Sequence, residues 1–378
     1  MMQWKPPRQK HLSLVFFDPL VFAWHGGDLS YADDWYNGTV PCNKDWPVSY
    51  NGTSTTLPGK GEFPNQGSPR DGDMGVLYES NWGLWQQWMN NVTLKVPYMV
   101  VPGNHEATCA DHDDPMPFAY LNEGKANSTS PIPTLNYYSC PPSQGNFTAL
   151  QHRFHTVCEK YSGVGNFWYS FDYGVAHFVS IDTETDGANS PDKSVARDVN
   201  GDDKHPMANE THGTDAGPFG VIHGSYNDPK SFEQYQWLAK DPASVDRCKT
   251  PWVIVMGHLP INSSKTVCYQ DHIRNAFQKL MLKNEVDLYI GGHVHWYERL
   301  YPLDVNGAKH NASVVSNHTC NTSPGKSMVH PINGAAGNIE SHSTCYGNDS
   351  FNHIITAFLD KKYFGFSELT VQNATALS

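Results

Sequence analysis

Charge is scarce in this 378-residue chain, at 17% Asp, Glu, Lys and Arg, and basic charge is scarcer still: 26 Lys and Arg stand against 38 Asp and Glu, a formal net charge of −12. Such a balance repels polyanions, which excludes an electrostatic grip on nucleic acid or on an anionic membrane as the main activity. A local cationic site, such as a bound metal, stays compatible with it. Long apolar runs are missing as well. None approaches the roughly 20 residues that cross a bilayer. The richest early run, Leu12 to Trp24, is interrupted by Asp18 and Pro19 and leads to no small-residue cleavage site, so it makes a poor signal peptide too. None of the eight cysteines belongs to a CxxC pair, which argues against a thiolate metal site and for disulfides between loops.

What is present points to a folded protein. Hydrophobic residues make up 39% and aromatics 12% of a chain long enough to bury a real core, a composition foreign to disordered acidic proteins. Asn-x-Ser/Thr sequons stand at Asn37, Asn51, Asn91, Asn127, Asn146, Asn209, Asn262, Asn311, Asn317, Asn321, Asn348 and Asn373. Their density implies passage through a secretory pathway. Export without a visible signal implies in turn that an N-terminal segment precedes this chain.

Two stretches rich in turn residues, Asn37 to Asp73 and Asp186 to Asp228, read as long surface insertions. Around them, apolar strands alternate with amphipathic helices, the pattern of an α/β protein. Strands are expected at Leu20 to Trp24, Val96 to Val101, Val175 to Ile181, Pro251 to Met256, Leu288 to Ile290 and Gly365 to Val371. Helices are expected around Trp82 to Met89, at Ser231 to Lys240 and at His272 to Lys283, where Ile273, Ala276, Phe277, Leu280 and Met281 share one face.

The strand exits carry the chemistry. Gly26-Gly27-Asp28, Pro102-Gly103-Asn104-His105-Glu106, Gly257-His258 and Gly291-Gly292-His293-Val294-His295 each follow a strand. Ligands of sheet proteins gather just past the carboxyl ends of strands, so Asp28, Asn104, His258, His293 and His295 are expected to share one site. A mixture of imidazole with oxygen donors favours Zn, Fe or Mn. Residues two apart in a strand face the same way, so His293 and His295 are expected to reach one metal or two adjacent ones, bridged by a carboxylate such as Asp28.

The motifs GGDLSY (Gly26 to Tyr31), PGNHE (Pro102 to Glu106), GHLP (Gly257 to Pro260) and GGHVHWYER (Gly291 to Arg299) resemble, in this order, those of the purple acid phosphatases within the calcineurin-like metallophosphoesterases. The resemblance runs from about Leu20 to the C-terminus, takes in NGAAGNIESH (Asn333 to His342), and is strongest to secreted fungal members. It implies a four-layer α-β-β-α sandwich and a dinuclear centre of Fe(III) with a divalent metal (Zn, Mn or Fe). By the same resemblance Asp28 bridges the metals, Tyr31 and His295 complete the iron side, and Asn104, His258 and His293 hold the divalent metal. His105 faces the substrate phosphate as hydrogen-bond or proton donor, whereas Glu298 and Arg299 support the loop. The implied reaction is acid hydrolysis of small phosphate monoesters by a metal-bound hydroxide, in a secreted glycoprotein with neither nucleic acid nor membrane as partner.

The chain also departs from that pattern. The family's first motif, Asp-x-Gly, with its iron-ligand aspartate, is not found; the only acidic residue upstream of Asp28 is Asp18. The fold is accordingly expected to lack its first strand, with residues 1–18 unmatched and a catalytic domain over 19–378 that is truncated at both ends. An additional proton-donor histidine, which plant relatives carry some ten residues past the position of His258, is missing too; His272 is a poor substitute. Two alternatives therefore accompany the phosphatase reading: a secreted metal-binding glycoprotein with impaired catalysis, and a phosphodiesterase or nucleotidase, against which Tyr31 argues. With the iron side reduced to Asp28, Tyr31 and His295, the chain as written is expected to be colourless and to hold about one metal.

Overall fold

The computed structural model describes residues 2–3, 20–33, 73–106, 147–156, 163–184, 213–215, 221–223, 233–264, 274–337 and 354–378. Asp18, His272 and most of both expected insertions lie outside the described residues. Of the second insertion, only a two-stranded ribbon, Gly213–Asp215 with Val221–His223, is described.

Beyond that ribbon, strands are numbered in chain order: β1 Met2–Gln3, β2 Ala23–His25, β3 Tyr98–Val100, β4 Tyr169–Tyr173, β5 Ala176–Ser180, β6 Trp252–Met256, β7 Leu288–Ile290, β8 Tyr297–Leu300, β9 Val314–Ser316, β10 Thr319–Cys320, β11 Pro331–Asn333, β12 Thr356–Asp360, β13 Val371–Asn373 and β14 Ala376–Leu377. The central sheet runs β4-β5-β6-β7, with β5, β6 and β7 parallel and β4 antiparallel at the edge. Every residue of β5 and β6 is buried, as expected of parallel strands covered on both faces. Beyond β7 the ladder continues through the 329–333 segment, by bonds such as Tyr289 N to the Val329 carbonyl and Gly291 N to the Pro331 carbonyl. β8 then pairs with β11 and β12.

Alternation along β6 defines the layers. Val253 and Val255 face a core filled by helices: Tyr78, Trp82 and Trp85 of Asp73–Thr93, Leu150 of Thr148–Arg153, Trp237 and Leu238 of Glu233–Lys240, and Leu280 and Met281 of Lys279–Lys283. Trp252 and Ile254 face the opposite way, onto Val329, Cys320 and Leu377, and so meet the five-stranded sheet β9-β10-β1-β14-β13. The described residues therefore stack helices, sheet and sheet, with all four α-helices in the one helical layer.

Two expectations need correction, and one strand was not expected. The helix expected over His272 to Lys283 is a π-turn at Arg274–Gln278 followed by one α-helical stretch, Lys279–Lys283. The strand expected over Gly365 to Val371 is not one: pairing begins only at Thr370, which exchanges backbone hydrogen bonds with Ser378, and Phe364 and Phe366 are exposed. Finally, β4, which no apolar run announced, ends in a half-polar, exposed edge segment.

The parallel pair β2 and β3 lies beside the central sheet. Phe22 and Trp24 pack edge-on against Phe178, and the Trp24 indole donates to Ser180 Oγ at 3.0 Å. Tyr169 donates its hydroxyl to the Val100 carbonyl. These contacts bring the carboxyl ends of β2, β3, β6 and β7 to one place.

Candidate metal centre

Asp28 follows β2 through Gly27, whose φ of +89° only glycine adopts freely. Asp28 itself has φ 54°, Tyr31 49° and His293 60°. A left-handed backbone is uncommon outside glycine, and strain of this kind gathers where the surroundings over-determine a functional side chain. The restraint here is Glu106. Its buried carboxylate accepts from the backbone N–H groups of Asp28 (2.8 Å), Leu29 (2.7 Å) and Gly103 (2.9 Å), locking the exits of β2 and β3 together. Burial, and then the Asp28 charge, push the Glu106 carboxyl up to about 8. Gly103 permits that closeness, because a Cβ there would sit 2.5 Å from the Asp28 nitrogen and collide with its Oδ1.

Onto this frame the other exits bring His258 and His293. His258 Nε2 lies 3.0 Å from Asp28 Oδ2, 3.1 Å from Asn104 Oδ1 and 3.2 Å from His293 Nδ1, while His293 Nδ1 lies 3.0 Å from Asn104 Oδ1. The other nitrogen of His258, Nδ1, faces the Gly26 carbonyl at 2.7 Å and must donate to it. In neutral His258 this leaves Nε2 as a lone pair among a carboxylate oxygen, an amide oxygen and a second imidazole nitrogen. Acceptors packed this closely need a cation between them. Without a metal, a proton serves: burial opposes charge on His258, but the Asp28 carboxylate outweighs it and raises the imidazole. Burial also opposes charge on Asp28, yet the surrounding imidazoles hold its carboxyl well below the usual range. His293, by burial and then by the His258 charge, falls to about 3 and stays neutral, as a ligand must. Among the described residues, ligand atoms of Asp28, His258 and His293 all lie within 4.8 Å of one another.

Tyr31 and His295 meet on the other side of Asp28. The Tyr31 hydroxyl is 2.9 Å from His295 Nε2 and 3.3 Å from Asp28 Oδ2. The sequence led to the expectation that His293 and His295 share a face by strand alternation, and they do not: they sit in a bend before β8, and the positive φ of His293 turns it toward Asn104 while His295 meets Tyr31. His105 stands over Tyr31 at 4.2 Å between ring centres, donates its backbone N–H to Asp28 Oδ1 and holds Asp33 Oδ2 with Nδ1 at 2.8 Å.

All seven candidate residues thus gather at one end of the sheet. Sequence reasoning missed two that organise them. Glu106 stood inside a quoted motif without a role, and Asp33 had no signal beyond being acidic and five residues past Asp28. Glu298 does hold a loop, accepting from Ser264 N and from the Thr356 hydroxyl.

Residues 70–297 match the model of the calcineurin-like phosphoesterases, three fifths of the chain. The chain belongs to that family. The matched stretch contains Asn104, His105, His258, His293 and His295, and residues 327–378 match the iron/zinc purple acid phosphatase-like protein C family. An acid phosphatase of Aspergillus ficuum is 59% identical over 383 residues, covering 97% of this chain and 62% of the relative. Acid phosphatase A of Cryphonectria parasitica is 29% identical, covering 96% and 59%. The solved purple acid phosphatase from yellow lupin (Lupinus luteus) seeds superposes at a TM-score of 0.44 with 22% identity, covering 78% of this chain and 39% of that one. The chain therefore spans about three fifths of the length of the two fungal relatives.

Proposed function

We propose that this chain is the catalytic part of an exported acid phosphatase that hydrolyses phosphate monoesters of small organic molecules at a centre of Fe(III) and a divalent metal, Zn, Mn or Fe. The observation that carries the reading is the cluster of acceptors around His258 Nε2, with Asp28 Oδ2, Asn104 Oδ1 and His293 Nδ1 at about 3 Å and Nδ1 of His258 committed to Gly26. This donor set suits a divalent ion of borderline hardness, and Asp28, Tyr31 and His295 offer the harder, more anionic set that Fe(III) prefers. When bound, the metals supply Lewis-acid charge that polarises the phosphate and acidifies water.

The chain's own residues do the rest. Glu106 and the His105 N–H fix Asp28 from its backbone and from Oδ1, so Oδ2 keeps its aim between Tyr31 and His258. With Nδ1 of His105 committed to Asp33, proton exchange by this ring falls to Nε2, where it can donate to a phosphate oxygen or to the departing alkoxide. The buried Asp33 carboxylate holds the ring through that nitrogen and so sets the direction in which Nε2 faces.

A second reading is a chain that holds one divalent metal and binds phosphate esters without hydrolysing them. Its motive is that, among the described residues, the Tyr31 side brings one carboxylate, one phenol and one imidazole. Metal analysis and hydrolysis of para-nitrophenyl phosphate, run on the same preparation at acidic and neutral pH, separate the two. Two metals with acid-favoured turnover support the phosphatase; one metal and no turnover support the second reading. Preferential turnover of bis(para-nitrophenyl) phosphate would instead make it a diesterase.

A further inference from the structure

Six of the sequons lie among the described residues, and their surroundings differ. Asn91, Asn311, Asn317, Asn321 and Asn373 are exposed. Asn262 is 7% exposed; its Nδ2 donates to Gln278 Oε1 at 3.0 Å and approaches His330 Nε2 at 3.2 Å, so both amide hydrogens are spoken for. By contrast, the Asn317 amide oxygen takes the Tyr301 hydroxyl at 2.7 Å, and the Asn373 oxygen accepts from Thr375 N and Oγ1. In both, an acceptor oxygen anchors the side chain, and the nitrogen is the atom a sugar needs.

Position sharpens the contrast. In the sheet β9-β10-β1-β14-β13 the two outer strands are β9 and β13. Asn311 lies three residues before β9, Asn317 opens the turn from β9 to β10, and Asn373 ends β13. Open edges invite pairing with other chains, and a bulky hydrophilic group at the edge prevents it.

We infer that Asn311, Asn317 and Asn373 carry N-linked glycans that cap both edges of the C-terminal sheet, and that Asn262 stays bare despite its sequon. The inference rests on the exported character proposed above. The donor is a polyprenyl-diphosphate-linked oligosaccharide: Nδ2 forms a bond to the anomeric carbon, the bond from that carbon to the diphosphate breaks, and Nδ2 gives up one proton. A chain modified at Asn262 loses one of two buried hydrogen bonds and has no room for the sugar, so it cannot reach this packing.

The test expresses the full chain behind a yeast secretion leader, removes glycans from the secreted folded protein with a peptide N-glycosidase in ¹⁸O water, and maps the labelled aspartates by peptide mass spectrometry. Label at 311, 317 and 373 with none at 262 is the expected result. Label at 262, or bare Asn317 and Asn373, overturns the inference. A second variant guards against failure to fold. Ser264→Ala destroys the sequon and keeps the Asn262 amide and the Ser264 N–H bond to Glu298. Its secreted yield is expected to match or exceed the parent's, whereas a several-fold loss would mean that folding needs the Asn262 glycan. Neither readout involves metal or turnover, so failure here is distinct from failure of the phosphatase reading.

Discussion

Glu106 touches no candidate ligand atom, yet it holds three backbone N–H groups from chain segments up to 78 residues apart. An amide at this position turns one accepting oxygen into a donor aimed at N–H groups. Glu106→Gln is therefore expected to lower metal affinity and turnover by about 10- to 100-fold, the usual cost of losing an outer partner of a metal site. Titration of metal into the purified variant checks this. Gly103→Ala should be at least as damaging, since its Cβ would meet the Asp28 nitrogen at 2.5 Å with only backbone to yield. At this scale the candidate ligands were legible and their supports were not. Asp28, Asn104, His258 and His293 follow glycine-punctuated strands, a local pattern. The roles of Glu106 and Asp33 exist only as contacts across some 70 residues of chain, and no spacing encodes them.

Among the elements, the β4–β5 hairpin is tied to the helix Glu233–Lys240 by one buried imidazole. His177 Nδ1 meets Asp172 of the facing strand at 2.7 Å, Nε2 meets Asp241 at 2.9 Å, and Ser170 also donates to Asp241. Burial opposes the charge, but Asp241 and then Asp172 outweigh it and raise the proton affinity of His177 above the ordinary histidine value. A raised folded-state value means that this stabilisation is complete below about pH 6.5, the unfolded value, and is lost as pH rises through the folded one. Chemical denaturation across that interval should show the parent losing stability toward alkaline pH and His177→Gln losing much of that slope; equal slopes would contradict the clamp. Elements were readable where burial was two-sided. The runs ending at Met256 and Ile290 became β6 and β7 with nearly the expected bounds, because parallel strands are apolar throughout. The strand expected near Gly365 failed because pairing, not apolar content, makes a strand, and the partner segment 376–378 reaches back only to Thr370.

Across the whole molecule, the central and C-terminal sheets share a buried seam away from the candidate ligands. Leu377, 1% exposed, fills the seam between the central and C-terminal sheets beside Cys320 and Val329. Leu377→Ala is expected to cost about 2–5 kcal/mol of stability, read from denaturant midpoints, while leaving the metal-ligand geometry in place. Of this layering, the helices on a sheet were legible from strand and helix alternation, whereas the second sheet was expected only through the family resemblance. The disulfides expected from eight cysteines are not settled by the fold: the two described cysteines, Cys248 and Cys320, form none with each other, and the other six lie outside the described residues. No described helix is long and apolar enough to cross a membrane.

If Asp28, Asn104, His258 and His293 together hold a divalent metal, metal content per chain after exhaustive dialysis, for the parent, His258→Ala and His105→Ala, will show it. At least one tightly held divalent ion is expected in the parent and in His105→Ala, and its loss in His258→Ala. A parent that keeps no metal, or a His258→Ala protein that keeps as much as the parent, would contradict it.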